Sequence, residues 1–186
     1  ETTDNNGIIG RHGGHVPLWY FLRSTPLTEP TRELQAFAKS LDADRSNPLE
    51  MLHALSAKIL ATVLYDIGYT DSKTTADAAL AAGHGVCQDH AHIFITAARI
   101  LGIPARYVSG YLMMTDRTEQ DAGHAWAEAH VDGLGWVGFD VSNGISPDPH
   151  YVRVATGADY AEAAPISGMS YGGGDQSMVV SLAVEQ

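Results

Sequence analysis

The sequence predicts an α+β domain in which helices come first and a mostly antiparallel sheet follows. Three observations carry that expectation. Apolar residues recur at helical spacing from residue 31 to residue 101, whereas beyond Pro104 the chain turns to short segments rich in β-branched and aromatic residues bounded by glycine. Helical segments are not interleaved with the strands, so no parallel βαβ sheet is indicated. The chain has 186 residues, 45% hydrophobic and 18% charged, enough for one domain with a real core.

Residues 1–27 read as irregular apart from a short apolar patch, Val16 to Leu22, and as a remnant of a preceding region, because Pro17, Pro26 and Pro30 break any long element there. Residues 28–186 read as the functional core. Within it, TRELQAFAKSL places Leu34, Phe37, Ala38 and Leu41 on one helical face. Asn47-Pro48-Leu49-Glu50 combines a cap, a first-turn proline and a residue able to reach back to the cap, so a helix is predicted from there to about Tyr65. Thr74 or Thr75 caps ADAALAA, which stops at Gly83. The next helix starts at Cys87 and runs to Leu101, with Gly102 and Pro104 as stop signals. Its predicted buried stripe is Cys87, Ala91, Phe94, Ile95, Ala98 and Leu101. ARYVSGYLMM then reads as a strand, TDRTEQDAG as a solvated polar loop, and HAWAEAHV–DGLG–WVGFDV as a hairpin. In the tail, SMVVSLAV is the clearest strand and Gly172–Gly174 a turn.

The net charge is −11, from 22 acidic and 11 basic residues, with no basic run. That speaks against nucleic-acid binding and against docking to an anionic membrane. One cysteine excludes an internal disulfide and a multi-thiolate zinc site. No apolar run reaches the length of a membrane span, and the polar opening ETTDNNGIIGRHGG is not a signal peptide. The chain opens without methionine, which points to processing or to a cut from a longer protein. A soluble, cytoplasmic protein is the expectation. The nine histidines lack the i, i+4 pairing that sets two imidazoles on one helix face, so neither a metal nor another cofactor is expected.

Cys87 sits between Gly83, Gly85 and a helix start. Thiol chemistry runs through the thiolate, which the unpaired N–H groups and positive dipole end of a helix stabilise. Gly85 would let the backbone turn tightly and admit a substrate, and the Cys87 N–H would be free to bind a developing oxyanion. A thiol nucleophile also needs a base and a group to orient that base. His124 and Asp140, on the two strands of the hairpin, are the candidates. They share a sheet face only if the hairpin loop is odd or bulged, and pairing Ala129 with Gly135 would set them directly opposite. The bland alternatives are an inert buried thiol at Cys87 and a surface acid at Asp89 that complements the helix dipole. Trp126 shares a face with His124 and could shield it from water. Arg106 is expected to pair an internal acid.

GHGVCQDHAHIFITAARILGIPARYVSGYL and GHAWAEAHVDGLGWVGFDVSNG together resemble the transglutaminase-like superfamily of papain-like thiol enzymes, in its bacterial branch. The resemblance rests on Gly-x-Cys at a helix start, Gly-Ile-Pro-Ala-Arg, His-Ala-Trp and Gly-Trp…Phe-Asp, in that order. It implies a papain-like, transglutaminase-core fold in which Cys87 is the nucleophile, His124 the base and acid, and Asp140 the residue orienting the imidazole. The family usually continues Asp-Pro-Thr-Asn where this chain has Asp140-Val141-Ser142-Asn143, which keeps the carboxylate and could alter the strand exit. The resemblance further implies acyl transfer or hydrolysis at an amide, on a peptide bond or a glutamine carboxamide, through a thioester. Its partners would be a protein or peptide substrate and an amine acceptor. Animal relatives use an aromatic donor upstream of the cysteine as a second oxyanion ligand, and Tyr65 is the candidate here. Their calcium dependence has no counterpart in a recognisable binding loop. The reading from another class is a non-catalytic relative that uses the cleft to bind or scaffold peptides.

Overall fold

The structure, a computed structural model, describes residues 7–10, 16–113, 119–120, 123–165 and 182–183; at 119–120 and 182–183 it describes the backbone alone. Among the described residues, the helices are α1 (Arg32–Lys39), α2 (Pro48–Thr62), α3 (Ala76–Ala82), α4 (Cys87–Ile100) and α5 (Tyr160–Ala163). The strands are β1 (Ile8–Gly10), β2 (Leu64–Tyr65), β3 (His84–Gly85), β4 (Ala105–Leu112), β5 (Glu119–Gln120), β6 (His124–Val131), β7 (Gly135–Phe139), β8 (Tyr151–Gly157) and β9 (Leu182–Ala183). The α+β expectation is met. Five strands form one sheet in the order β1-β7-β6-β4-β8, with every neighbour antiparallel. Along β6 the inward residues Ala125, Ala127, Ala129 and Val131 join the core with α4, while His124, Trp126, Glu128 and His130 alternate to the other face. The run of alanines lets the helix approach the sheet closely.

The capping signals act as their chemistry dictates. Thr31 Oγ1 accepts the Leu34 N–H at 3.3 Å, and Thr75 Oγ1 accepts the Ala78 N–H at 3.2 Å. Asn47 Oδ1 accepts the Glu50 N–H at 3.3 Å while Asn47 Nδ2 donates to Glu50 Oε2 at 3.1 Å. Gly83 ends α3 in the left-handed region, at φ 70°.

Three expectations need correction. Helix α2 ends at Thr62 rather than Tyr65, because Val63 turns extended and Leu64–Tyr65 pair in parallel with His84–Gly85. Residues 1–27 are not wholly irregular. Ile8–Gly10 adds an edge strand to β7, and Leu18–Leu22 and Pro26–Thr28 form 3-10 turns that bury Phe21 and Thr28. The polar loop of residues 115–123 contains Glu119–Gln120, paired with Leu182–Ala183. The rest of the predicted tail strand and the triple-glycine turn lie outside the described residues. No described helix is long and apolar enough to cross a membrane.

Helix α4 departs furthest from its predicted single stripe. Every residue from Asp89 to Arg99 is buried. Each polar one finds at least one partner inside the protein, although Asp89 Oδ1 and His92 Nδ1 stay unmatched. Arg99 Nε donates to the Phe21 carbonyl at 2.9 Å, Nη1 to Thr28 Oγ1 at 2.9 Å, and Nη2 to the carbonyls of Ala105 and Ala158 at 2.9 and 2.6 Å. One guanidinium thus ties the N-terminal turns, the start of β4 and the end of β8 to the central helix. Arg99→Met strips partners from several buried acceptors at once and is expected to cost about 3 kcal/mol or more in urea unfolding. Arg99→Lys, with fewer donors in a different geometry, should recover only part of that loss.

Candidate active site

Cys87 is the first residue of α4 and is half-buried. Its approach is fixed by β3, which runs beside β2 through Leu64 N–H to Gly83 O at 2.9 Å and Asp66 N–H to Gly85 O at 2.8 Å. Gly85 serves a purpose other than the expected one. Its φ is not positive, but a Cβ there would stand 2.7 Å from the Cβ of Asp89 and 2.9 Å from its Oδ2. Glycine is needed for that packing. Asp89 itself is buried, not a surface acid. Its Oδ2 accepts the Val86 N–H at 2.8 Å and the Thr70 hydroxyl at 2.7 Å, closing the helix start over the 70s loop. Burial raises its pKa, against the lowering effect of those two bonds.

The β6–β7 register is the odd one required. Val131 pairs with Gly135, leaving a three-residue turn, and Ala129 pairs with Val137 rather than Gly135. In that register Asp140 falls across from Trp126, so it is diagonal to His124 and not directly opposite. The diagonal is closed by the side chains. His124 Nε2 stands 2.6 Å from Asp140 Oδ2, with the carboxylate fully buried. The other ring nitrogen is left on the side of Cys87, which lies close enough to raise the imidazole pKa. The structure therefore brings Cys87, His124 and Asp140 together from one helix and two strand ends.

Asp140 has further partners that the sequence did not reveal. Its Oδ2 accepts the Tyr151 hydroxyl at 2.7 Å and Asn143 Nδ2 at 2.7 Å. Its backbone is bonded both ways to Ile145, in a tight turn whose Gly144 has φ 67°. Asn143 belongs to the Asp-x-x-Asn pattern and could have been nominated; Tyr151 carries no motif. Trp126 and Tyr151 pack on the imidazole, with ring centroids 6.2 and 5.9 Å from it, and Tyr151 meets Trp126 edge-on at 5.4 Å. This is the shielding expected of Trp126, with Tyr151 added.

His90 is a second residue that spacing alone left idle. It is buried one turn into α4, and burial lowers its pKa, so it is neutral. Its Nε2 faces the Val63 carbonyl at 3.0 Å, which can only accept, so Nε2 carries the proton. Nδ1 then accepts the Ser142 hydroxyl at 2.9 Å. His90 thereby locks the turn after Asp140 to the helix that carries Cys87. Tyr65 stands on β2, partly exposed, edge-on to His90 at 6.2 Å. Its pKa is raised by burial and by the nearby charges of Cys87 and Asp140, so its hydroxyl stays protonated and able to donate. Arg106 pairs with an internal acid as expected, donating to buried Glu128 at 2.6 Å while its guanidinium lies 3.9 Å over the Trp136 ring.

The profile of the Transglutaminase-like superfamily matches residues 35–141. The chain belongs to the transglutaminase-like superfamily. The match contains Cys87, His124 and Asp140. A crystal structure of a candidate cysteine protease from Cytophaga hutchinsonii superposes with a TM-score of 0.72 at 29% identity, over 91% of this chain and 56% of that one. The periplasmic domain of TgpA from Pseudomonas aeruginosa shares the fold, with a TM-score of 0.53 at 22% identity over 68% of this chain and 47% of that one. A protein of uncharacterised function from Mycobacterium leprae is 32% identical over 168 residues, 87% of this chain. One from Mycobacterium tuberculosis is 33% identical over 141 residues, 70% of this chain. The chain spans 59% and 45% of those two relatives.

Burial disfavours the His124 cation, but the hydrogen bond to Asp140 and the nearby charges of Asp140 and Cys87 overcome it, pushing its pKa up to about 10. In Asp140, burial is likewise outweighed, here by His124, Tyr151 and Asn143, and its pKa is lowered. Because the imidazole pKa is raised on folding, its share of stability is complete below pH of about 6.5 and is lost as pH rises through about 10. The carboxylate's share is present above pH of about 4 and lost on acidification. Histidine NMR should therefore show His124 titrating well above the ordinary range, and Asp140→Asn should lower that pKa by more than one unit. The stability lost in Asp140→Asn should be greatest between those limits and shrink toward pH 10. Tyr151→Phe should keep the fold, at a cost of about 1 kcal/mol, and raise the His124 pKa, since a carboxylate with one fewer donor is the stronger partner.

Proposed function

We propose that this chain is a thiol enzyme acting on amide bonds by acyl transfer or hydrolysis, with Cys87 as nucleophile, His124 as acid and base, and Asp140 holding the imidazole. The observation that carries the reading is the position of His124, with a buried carboxylate 2.6 Å from one ring nitrogen and Cys87 near enough to raise its pKa. The reacting pair is the Cys87 thiolate beside the His124 imidazolium. The Cys87 sulfur bonds to the amide carbonyl carbon, and the carbonyl electrons move to oxygen. The Cys87 N–H, unpaired in the first helical turn, and the Tyr65 hydroxyl are the donors to that oxyanion. Collapse breaks the C–N bond as His124 gives its proton to the departing nitrogen, leaving a thioester. Neutral His124 then takes a proton from water or an amine as that acceptor attacks, and the thiolate leaves. Water makes the enzyme a protease or deamidase; an amine makes it a transamidase.

The test is the pH dependence of Cys87 alkylation by iodoacetamide. At pH 6 an unassisted thiol of ordinary pKa, about 8.5, is almost wholly protonated. The native protein should be alkylated there at least tenfold faster than His124→Ala. Equal, slow rates in both would remove the thiol-enzyme reading.

A further inference from the structure

The segment that flanks the nucleophile is apolar and exposed. Leu64, Tyr65, Ile67 and Tyr69 are 60%, 51%, 78% and 63% exposed, four of six consecutive positions, in a chain whose net charge is −11. Apolar side chains are exposed elsewhere too, at Leu18, Trp19, Val152 and Val154. Scattered exposure of that kind calls for no explanation. Three features set residues 64–69 apart. First, β2 is hydrogen-bonded to β3, two residues before Cys87, so the apolar ledge is fixed relative to the sulfur. Second, its rings are held in place: Tyr69 stacks on His84 with centroids 4.6 Å apart and planes 14° from parallel, and Tyr65 meets His90 edge-on. Rings already ordered lose little freedom when a partner covers them. Third, parallel pairing uses the N–H groups of Leu64 and Asp66 and leaves the Tyr65 backbone facing the open edge of β2. An extended chain can add along such an edge. Across the site, exposed Ile145 sits in the turn that bonds the Asp140 backbone.

From this juxtaposition we infer that the ledge Leu64–Tyr69 is a substrate-docking surface, and that it selects extended polypeptide segments with apolar or aromatic side chains next to the reacting amide. The inference rests on Cys87 being the nucleophile. The occupant is a peptide because only an extended chain uses both the strand edge and the side-chain ledge. It is neutral or basic because half-exposed Asp66 lies within the ledge and the protein is acidic. Burying one large apolar side chain against the ledge is worth about tenfold or more in affinity.

Two peptidyl chloromethyl ketones test this without deciding between water and amine as acceptor, since both alkylate the thiol directly. One carries Leu and Phe beside the reactive group and the other Ser and Ser. The Leu-Phe reagent should inactivate the protein with a KI about tenfold lower. Ile67→Ser, which removes the most exposed side chain and no ring contact, should shrink that ratio severalfold. Ile67→Ser/Tyr69→Ser should bring it close to one, with circular dichroism confirming that both variants fold. Equal KI values for the two reagents on the native protein, or an unchanged ratio in Ile67→Ser, overturns the docking surface. Failure of the reading beneath it is seen separately, as loss of the His124 dependence of iodoacetamide alkylation.

Discussion

Helix α4 is enclosed on every side, and the rest of the molecule is arranged around that constraint. A helix buried along one stripe may carry any polar residue on its other face. A helix buried all round must satisfy each polar side chain internally, because an unmatched buried group costs about 1–3 kcal/mol. The five polar side chains from Asp89 to Arg99 each find at least one partner, leaving only Asp89 Oδ1 and His92 Nδ1 unmatched among their buried atoms. Asp89 takes the Val86 N–H and the Thr70 hydroxyl, and Thr96 caps back onto the His92 carbonyl. His92 accepts the Tyr160 N–H at 3.2 Å, and Arg99 gathers four carbonyl or hydroxyl oxygens. His90 joins the end of α2 to the turn after Asp140. The helix that carries Cys87 thus holds the His124 and Asp140 segments in register through its own side chains.

This explains how a diagonal pair in a β-hairpin becomes a 2.6 Å contact. Register alone leaves His124 and Asp140 as neighbours at one remove, a separation at which short side chains do not meet. The chain leaves β7 at Asp140, folds back through Gly144 to bond its own backbone at Ile145, and is pinned from below by Ser142 to His90. The departure from the usual Asp-Pro-Thr-Asn is accommodated here. Val141 is buried, Ser142 supplies the hydroxyl to His90, and Asn143 still bonds the carboxylate.

The elements of the fold were legible wherever a local signal exists. Caps at Thr31, Asn47 and Thr75, the left-handed glycine at Gly83 and the strand segments after Pro104 all act through neighbours in sequence. The triad was nominated by spacing and resemblance, and the odd register it required is present. What stayed hidden is what tertiary contact alone decides. Asp89, His90, His92, Thr96 and Arg99 are residue types that ordinarily lie on surfaces, so a single apolar stripe was the natural expectation. Tyr65 read as the end of a helix, since nothing local says that Val63 will turn extended to pair β2 with β3. Tyr151 reaches Asp140 from a strand beyond the hairpin, a contact with no sequence period.

The surroundings of the imidazole set what the site can do. Trp126 and Tyr151 cover the ring and the carboxylate behind it, so the ion pair lies where water screens it little. Dryness alone would drive His124 neutral and Asp140 protonated, since burial opposes both charges. The three donors on Asp140 Oδ2, from His124, Asn143 and Tyr151, reverse that for the carboxylate, and the carboxylate with Cys87 reverses it for the imidazole. Charge is thereby sustained in a place that disfavours it. That is the condition the proposed chemistry needs, an imidazolium beside Cys87 that can hand its proton to a leaving nitrogen.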